Sequence, residues 1–412
     1  MAVHTLEEIY TPDALEAQRE RYSRAASEFE KLYGTTPERI FSAPGRTEVG
    51  GNHTDHNHGR VLAAGVSLDV IAMVIPTEDG IIEVKSEGFP ADRVDLSDIS
   101  VHKDEEGSSA ALIRGVAAGF AKGGHRIGGF RAYTTSNVLK GSGLSSSAAF
   151  EVLIGNILNG LYNGHEVSAV EIAQVSQYAE NVYFGKPSGL MDQMASSVGG
   201  FITIDFADPA KPVIESIDFD FAASGCSLCI VDTKGSHADL TPEYAAIPQE
   251  MKAVAGFFGK QVLRETDKQS VLGSLPELRE RFGDRAVLRA LHFFDDNERV
   301  TAEKEALSAG DIKAFFEQIK SSGRSSYMYL QNVFAVSDPG SQGLSLALYL
   351  AGSVLGDEGA YRVHGGGFAG TIQAFVPADR LDTFRKTMED CFGEGSCYVL
   401  SVRPFGGTEV RM

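Results

Sequence analysis

Gly141-Ser142-Gly143-Leu144-Ser145-Ser146-Ser147 is the stretch on which the reading of this 412-residue chain turns. It lies between a strand-like run, Phe130 to Thr135, and an apolar stripe of Phe150, Leu153, Ile154, Ile157, Leu158 and Leu161 that predicts one face of a long helix starting at about Ser145. Glycines let backbone N–H groups approach a phosphate closely, and a helix start adds unpaired donors and the positive end of the peptide dipole. The serine hydroxyls add further donors or a magnesium ligand. No Gly-Lys-Ser/Thr follows the glycines, so this is not a P-loop, and Gly-x-Ser-x-Gly does not fit, so it is not a nucleophile elbow. Taken alone, a serine N-cap after a glycine turn accounts for the same letters.

Outward from this loop the pattern is mixed. Residues 12 to 33 show helical spacing of Leu15, Tyr22, Ala25, Phe29 and Leu32, interrupted by Gln18 and stopped by Gly34-Thr35-Thr36-Pro37. From Phe41 to about Lys85 come short β-rich runs, Val70 to Ile75 and Ile81 to Lys85, followed by a helix over Ala110 to Ala121. Asn163-Gly164 closes the long helix. The turn-rich Asp205 to Pro212 separates this half from one that mixes strands (Ser227 to Val231, Thr371 to Val376, Tyr398 to Val402) with helices. The expectation is an α+β protein of two domains, 1–210 and 211–412, with helices packed on mixed sheets, because strands and helices do not alternate regularly.

Composition narrows the function. Hydrophobic residues make up 43% and charged residues 23%, with length enough for two cores of about 200 residues each. A formal net charge of -19 without a long Lys/Arg run disfavours nucleic acid and anionic lipid as partners. The acidic start, Met1 to Tyr22, lacks a signal-like apolar core, and no run of 18 apolar residues occurs, so a cytoplasmic location is expected. Cys226 and Cys229 form a CxxC, but on a strand-like run they face opposite sides and could not share one ion.

Three other segments carry chemistry. Gly365-Gly366-Gly367-Phe368-Ala369-Gly370 satisfies GxGxxG, yet a strand follows it rather than a helix, so it is either a tight loop packed on a ligand or neighbouring loop, or a plain hairpin. Ala43 to Gly59 holds Arg46, Asn52, His53, Asp55, His56 and His58 in a loop too polar for a core. Asn52 and Asp55 suit vicinal hydroxyls, and Arg46 suits the charge on a transferring phosphoryl group. The histidines lack the HxxxH spacing or cysteines of a zinc site. Glu180 and Asp192 flank a Gly/Pro turn, with Asp192 between Met191 and Gln193, where an unpaired carboxylate is costly unless it is used.

Together these segments resemble the GHMP small-molecule kinases, and among them the galactokinases, over most of the chain. Ala43-Pro44-Gly45-Arg46 with His53-Thr54-Asp55 and Asn57 looks like the galactokinase signature, Gly141 to Ala148 like the family's ATP loop, and Gly365 to Gly370 like its C-terminal glycine motif. The resemblance implies transfer of the γ-phosphate of ATP to the anomeric C1 hydroxyl of galactose. It implies Asp192 as catalytic carboxylate and Arg46 as stabiliser of the transition state. Lys140, Gly141, Ser142, Gly143, Leu144, Ser145, Ser146 and Ser147 would bind ATP, and Ser147 and Glu180 would hold Mg2+. Asn52, His53, Asp55, Gly189 and Tyr244 would contact the sugar. Asp192 either abstracts the proton or orients the hydroxyl. Where galactokinases usually read Gly-Glu-His-Thr-Asp-Tyr-Asn this chain has Gly51-Asn52-His53-Thr54-Asp55-His56-Asn57, so Asn52 replaces a sugar-binding carboxylate. A kinase for a uronic acid, an N-acetylhexosamine or a pentose is therefore the competing reading, and a non-catalytic sugar and ATP sensor a more distant one. A monomer or weak homo-oligomer is expected.

Overall fold

The computed structural model describes residues 3–138, 143–235 and 240–412. The strands, in chain order, are β1 (Val3–Thr5), β2 (Arg39–Gly50), β3 (Arg60–Thr77), β4 (Ile81–Ser86), β5 (Ala91–Asp95), β6 (Gly129–Ser136), β7 (Phe201–Asp205), β8 (Val213–Ile217), β9 (Cys226–Asp232), β10 (Ala360–Val363), β11 (Thr371–Pro377), β12 (Cys397–Leu400) and β13 (Thr408–Arg411). Among the described residues they form a nine-stranded sheet, ordered β1-β13-β2-β3-β6-β4-β5 with β7 and β8 branching from β3, and a four-stranded sheet ordered β10-β11-β9-β12. The large sheet is mixed: β1 with β13 and β4 with β6 run parallel, the other pairs antiparallel.

The unbroken apolar run in β3 has a simple cause. Side chains alternate across a strand, and both faces here are covered. Val70, Ala72 and Val74 enter the core beneath the helices Ser109–Lys122 and Ser146–Tyr162, while Ile71 and Met73 pack against the N-terminal helix Leu15–Tyr33. That last helix ends on Gly34 at φ +70, whose N–H bonds Glu30 O at 2.8 Å. Its buried stripe is Tyr22, Ala25 and Phe29; Leu32, counted into the stripe from spacing, is 47% exposed, and Arg21 is buried instead.

Arg21 is buried because of Asp69 on β3. Asp69 is fully enclosed and accepts Arg21 Nη1 at 2.6 Å and Arg403 Nη1 at 2.9 Å, together with the hydroxyls of Tyr10 and Ser42. Burial would push this carboxyl up, but the two guanidiniums outweigh it and hold it below the ordinary aspartate value. The same residue anchors the approach to the serine-rich loop: its N–H donates to Asn137 Oδ1 at 2.6 Å, and its carbonyl accepts Asn137 N–H at 3.1 Å.

The small sheet backs onto helices Gly343–Leu355 and Leu381–Phe392 through Cys229, Val231, Leu344, Leu355, Phe384 and Met388. Cys226 packs against the other core, so the two thiols do face opposite sides of β9, and all four cysteines are unpaired. A cut at residue 210 leaves β8 and β13 of the large sheet on its C-terminal side. Arg362 on β10 joins the sheets by donating to Glu48 Oε1 at 2.9 Å and to Val49 O at 2.7 Å. Among the described residues no helix is long and apolar enough to cross a membrane.

Candidate active site

The helix Ser146–Tyr162 delivers its N-terminus to the end of β6, as the phosphate reading requires. Gly143 adopts φ +75, and a Cβ there would stand 3.0 Å from His364 Nδ1, so a side chain at this position would be strained. Burial, with Arg46 and Arg362 nearby, pushes His364 down to about 3, so this ring is neutral under the loop. Leu144 is buried and its carbonyl accepts Arg46 N–H at 3.1 Å. Lys140, Gly141 and Ser142 lie outside the described residues. From Ser146 and Ser147 a cavity of about 600 Å³ opens, whose walls include Phe89, Leu112, Val138 and Phe150 with Ser86 and Asp92 as polar groups. Motif reading missed this wall, since its members come from four separate elements; the half-exposed Phe89 beside Gly88 and Pro90 was the available signal.

Asp192 occupies the first turn of helix Met191–Val198. Its carboxylate is gripped at both oxygens: Arg46 Nε reaches Oδ1 at 2.7 Å, Arg46 Nη2 reaches Oδ2 at 2.7 Å, and Ser145 Oγ donates to Oδ2 at 2.6 Å. Arg46 Nη1 also donates to the Gly143 carbonyl. The structure thus joins the arginine, the aspartate and the serine loop, which are about 100 and 50 residues apart in sequence, in one hydrogen-bonded group. Burial alone would raise the Asp192 carboxyl; Arg46 and Ser145 outweigh it and keep it below its ordinary value.

Glu180 sits in a π-helical turn, Ala179–Phe184, a local irregularity of the kind often found at functional positions. It is buried and accepts four side chains: Ser147 Oγ (3.0 Å) and Lys186 Nζ (2.8 Å) at Oε1, Ser188 Oγ (2.6 Å) and Gln193 Nε2 (2.8 Å) at Oε2. Gln193 Nε2 bridges on to Glu151 Oε2 at 3.0 Å. Burial and the nearby Glu180 push Glu151 well up. A hydroxyl and a carboxylate converging at a helix start form a hard oxygen set, and that chemistry fits Mg2+.

On the acceptor side, Asp55 lies in the short turn Asp55–Asn57, and its Oδ2 stands 2.9 Å from where a Cβ on Gly189 would be. His53 has φ +58 and points Nε2 at Gly366 O, 3.0 Å away; burial, helped by His56, pushes it down to about 4, so it is neutral near pH 7. Tyr244 OH donates to Gly367 O at 2.8 Å, and a Cβ on Gly366 would come within 2.7 Å of the Tyr244 ring. The glycine cluster 365–370 is a hairpin loop between β10 and β11, and its carbonyls are also the seat of this wall of the site.

Asn52 stands apart from the other residues expected at the sugar. Its side chain is fully enclosed: Nδ2 donates to Glu48 Oε1 (3.0 Å) and Gly365 O (2.7 Å), and Oδ1 accepts Asn332 Nδ2 (2.8 Å) and Ser326 Oγ (3.1 Å). Its N–H and C=O are held by Asp296 and His292. The amide thus spends both ends inside the protein, beneath the loop that carries His53 and Asp55.

Residues 27–76 match the galactokinase galactose-binding signature and residues 111–200 the GHMP kinases N terminal domain. Mevalonate kinase from Methanococcus jannaschii shares the fold, with a TM-score of 0.62 at 15% identity over 88% of this chain and 98% of that one. The fold and the serine loop are those of a GHMP kinase. A galactokinase from Streptomyces coelicolor is 33% identical over 369 residues, 88% of this chain and 91% of that protein. The galactose complex of Lactococcus lactis galactokinase superposes with a TM-score of 0.78 at 26% identity, covering 94% of this chain and 99% of that one. The chain belongs to the galactokinase family.

Proposed function

We propose that this chain transfers the γ-phosphate of ATP to the C1 hydroxyl of galactose, giving galactose 1-phosphate and ADP. The observation that carries the reading is the Arg46–Asp192–Ser145 group, which puts a phosphate-seeking guanidinium and a carboxylate at the joint between the serine loop and the acceptor loop. In the transfer, the sugar O1–H bond breaks, O1 bonds to the γ-phosphorus, and the bond from that phosphorus to the β,γ-bridging oxygen breaks to release ADP. Positioning and charge neutralisation supply most of the rate in such reactions. A hemiacetal hydroxyl is more acidic than an ordinary alcohol, so a weak base suffices.

Asp192 is held by Arg46 as an ionised, weakly basic carboxylate, suited first to orienting the hydroxyl. As Arg46 turns its charge toward the transferring phosphoryl group, the carboxylate loses the partner that depresses its basicity and becomes better able to take the proton. Ser147 and Glu180 are the residues that would hold Mg2+, which when bound neutralises phosphate charge. Asp55, His53, Gly189 and Tyr244 line the acceptor side, and the 600 Å³ cavity beside Ser146 takes the nucleoside.

The test is a panel of hexoses, pentoses, uronic acids and N-acetylhexosamines with MgATP and product identification. Galactose consumed with a phosphoester at C1 is the expected result; no turnover on any sugar rejects the kinase reading. A better substrate elsewhere in the panel would establish the second reading, a kinase for another sugar, although Asn52, at the family's usual glutamate, is enclosed beneath the acceptor loop.

A further inference from the structure

The segment Gly185-Lys186-Pro187-Ser188-Gly189 crosses from the π-helical turn that carries Glu180 to the helix that carries Asp192. Its backbone is pinned. Gly185 has φ +84, and a Cβ there would collide with Glu106. Lys186 N–H bonds Glu180 O at 3.1 Å, Ser188 N–H bonds Asn181 Oδ1 at 2.7 Å, and Gln177 Nε2 bonds Ser188 O at 3.0 Å.

The lysine side chain is held far less. It is 54% exposed, and among the described residues its ammonium makes one hydrogen bond, to Glu180 Oε1. That oxygen is also the one facing Ser147 Oγ. Lys186 therefore uses the oxygen that a divalent ion held by Ser147 and Glu180 would also use, and two positive charges at that oxygen would repel each other. Its charge also reaches Asp192. Among the described residues near the loop, Arg46 in this structure is bound by Asp192 and the Gly143 carbonyl, and the His364 ring is neutral.

We propose that Lys186 is a phosphate-binding residue of the transfer reaction, resting on Glu180 until the nucleotide and its metal arrive. This rests on the kinase reading. Once Glu180 is taken, the ammonium is released beside the transferring phosphoryl group with its backbone already fixed, so that side-chain torsions alone bring it to a phosphate oxygen. Lysine suits this part because it carries its charge on a flexible stem, unlike the planar fork of Arg46.

Two binding measurements on the full chain test it. Calorimetric titration of ATP with Mg2+ should show Lys186→Gln weakened by about tenfold, the loss of one charge-assisted hydrogen bond, and Lys186→Arg close to wild type at an unchanged unfolding midpoint, whereas in EDTA, with the lysine still on Glu180, Lys186→Gln and wild type should differ little. Mn2+ binding to the nucleotide-free protein, read by electron paramagnetic resonance, should tighten in Lys186→Gln because the competing ammonium is gone. Unchanged ATP affinity with Mg2+ in Lys186→Gln overturns the proposal, as does a loss that Lys186→Arg fully shares; unchanged or weaker Mn2+ binding overturns the resting position on Glu180. If the wild type phosphorylated no sugar the kinase reading would fall, while these titrations would still decide the role of Lys186.

Discussion

Asp69 and Asp192 are two buried-site carboxylates, each clasped by arginine and a serine hydroxyl, and each held below its ordinary pKa by those partners after burial has pushed it up. They differ in what surrounds the clasp. Asp69 has no exposed side-chain surface and is closed in by Tyr10, Arg21, Ser42 and Arg403, drawn from both ends of the chain. Asp192 keeps 21% of its side chain open, and its arginine faces the serine loop. The same chemical pair is thus a fastener in one place and a tool in the other, and access rather than ion pairing separates them.

Breaking each pair should separate activity from stability. Asp192→Asn keeps the shape and removes the charge, so steady-state kinetics should show kcat down by about a thousandfold or more, with ATP binding and the unfolding midpoint little changed. Asp69→Asn should do the reverse: two buried guanidiniums lose their counter-charge, at a cost of about 3–5 kcal/mol in urea unfolding, while the folded fraction keeps its KM values. Full activity in Asp192→Asn, or full stability in Asp69→Asn, would erase the distinction.

Acid sharpens it further. His53 falls from 6.5 to about 4 on folding, so the unfolded chain takes up that proton first, and stability is lost as the pH drops from 6.5 toward 4. Asp69 has a folded value below its ordinary 3.8, so its contribution is intact above 3.8 and is lost only as the pH falls below it. Urea midpoints followed against pH should therefore decline first in the histidine window, and His53→Asn should flatten part of that decline without touching the step below 3.8. The smallest effect is expected from Gly189→Ala, whose new methyl meets Asp55 Oδ2 at 2.9 Å. It should cost about 1 kcal/mol of acceptor binding, seen as a raised KM for the sugar with the KM for ATP unchanged.

Much of this was legible in the letters. The serine loop, the helix behind it, Arg46 and Asp192 each carry a local signature, and the α+β mixture follows from the order of runs. What escaped depends on partners far away in sequence. Leu32 belongs to the helical stripe by spacing but faces water, while Arg21 is buried because Asp69 lies 48 residues on. Asn52 looks like a hydroxyl-binding side chain in a polar loop; Ser326 and Asn332, some 280 residues later, enclose it, and nothing near position 52 announces them. The wall of Phe89, Leu112 and Phe150 is likewise assembled from separate elements, each with too few residues to make a motif.

The placement of β13 bears on how the molecule is made. Residues 408–411 lie between β1 and β2, pairing Val3 with Glu409 and Phe41 with Glu409. Among the described strands β1 pairs with β13 alone, so this edge of the large sheet closes only after the strands of the small sheet, which precede β13 along the chain, have been made. Synthesis through residues 408–411, rather than emergence of the first half of the chain, completes the sheet on which the phosphate loop is mounted.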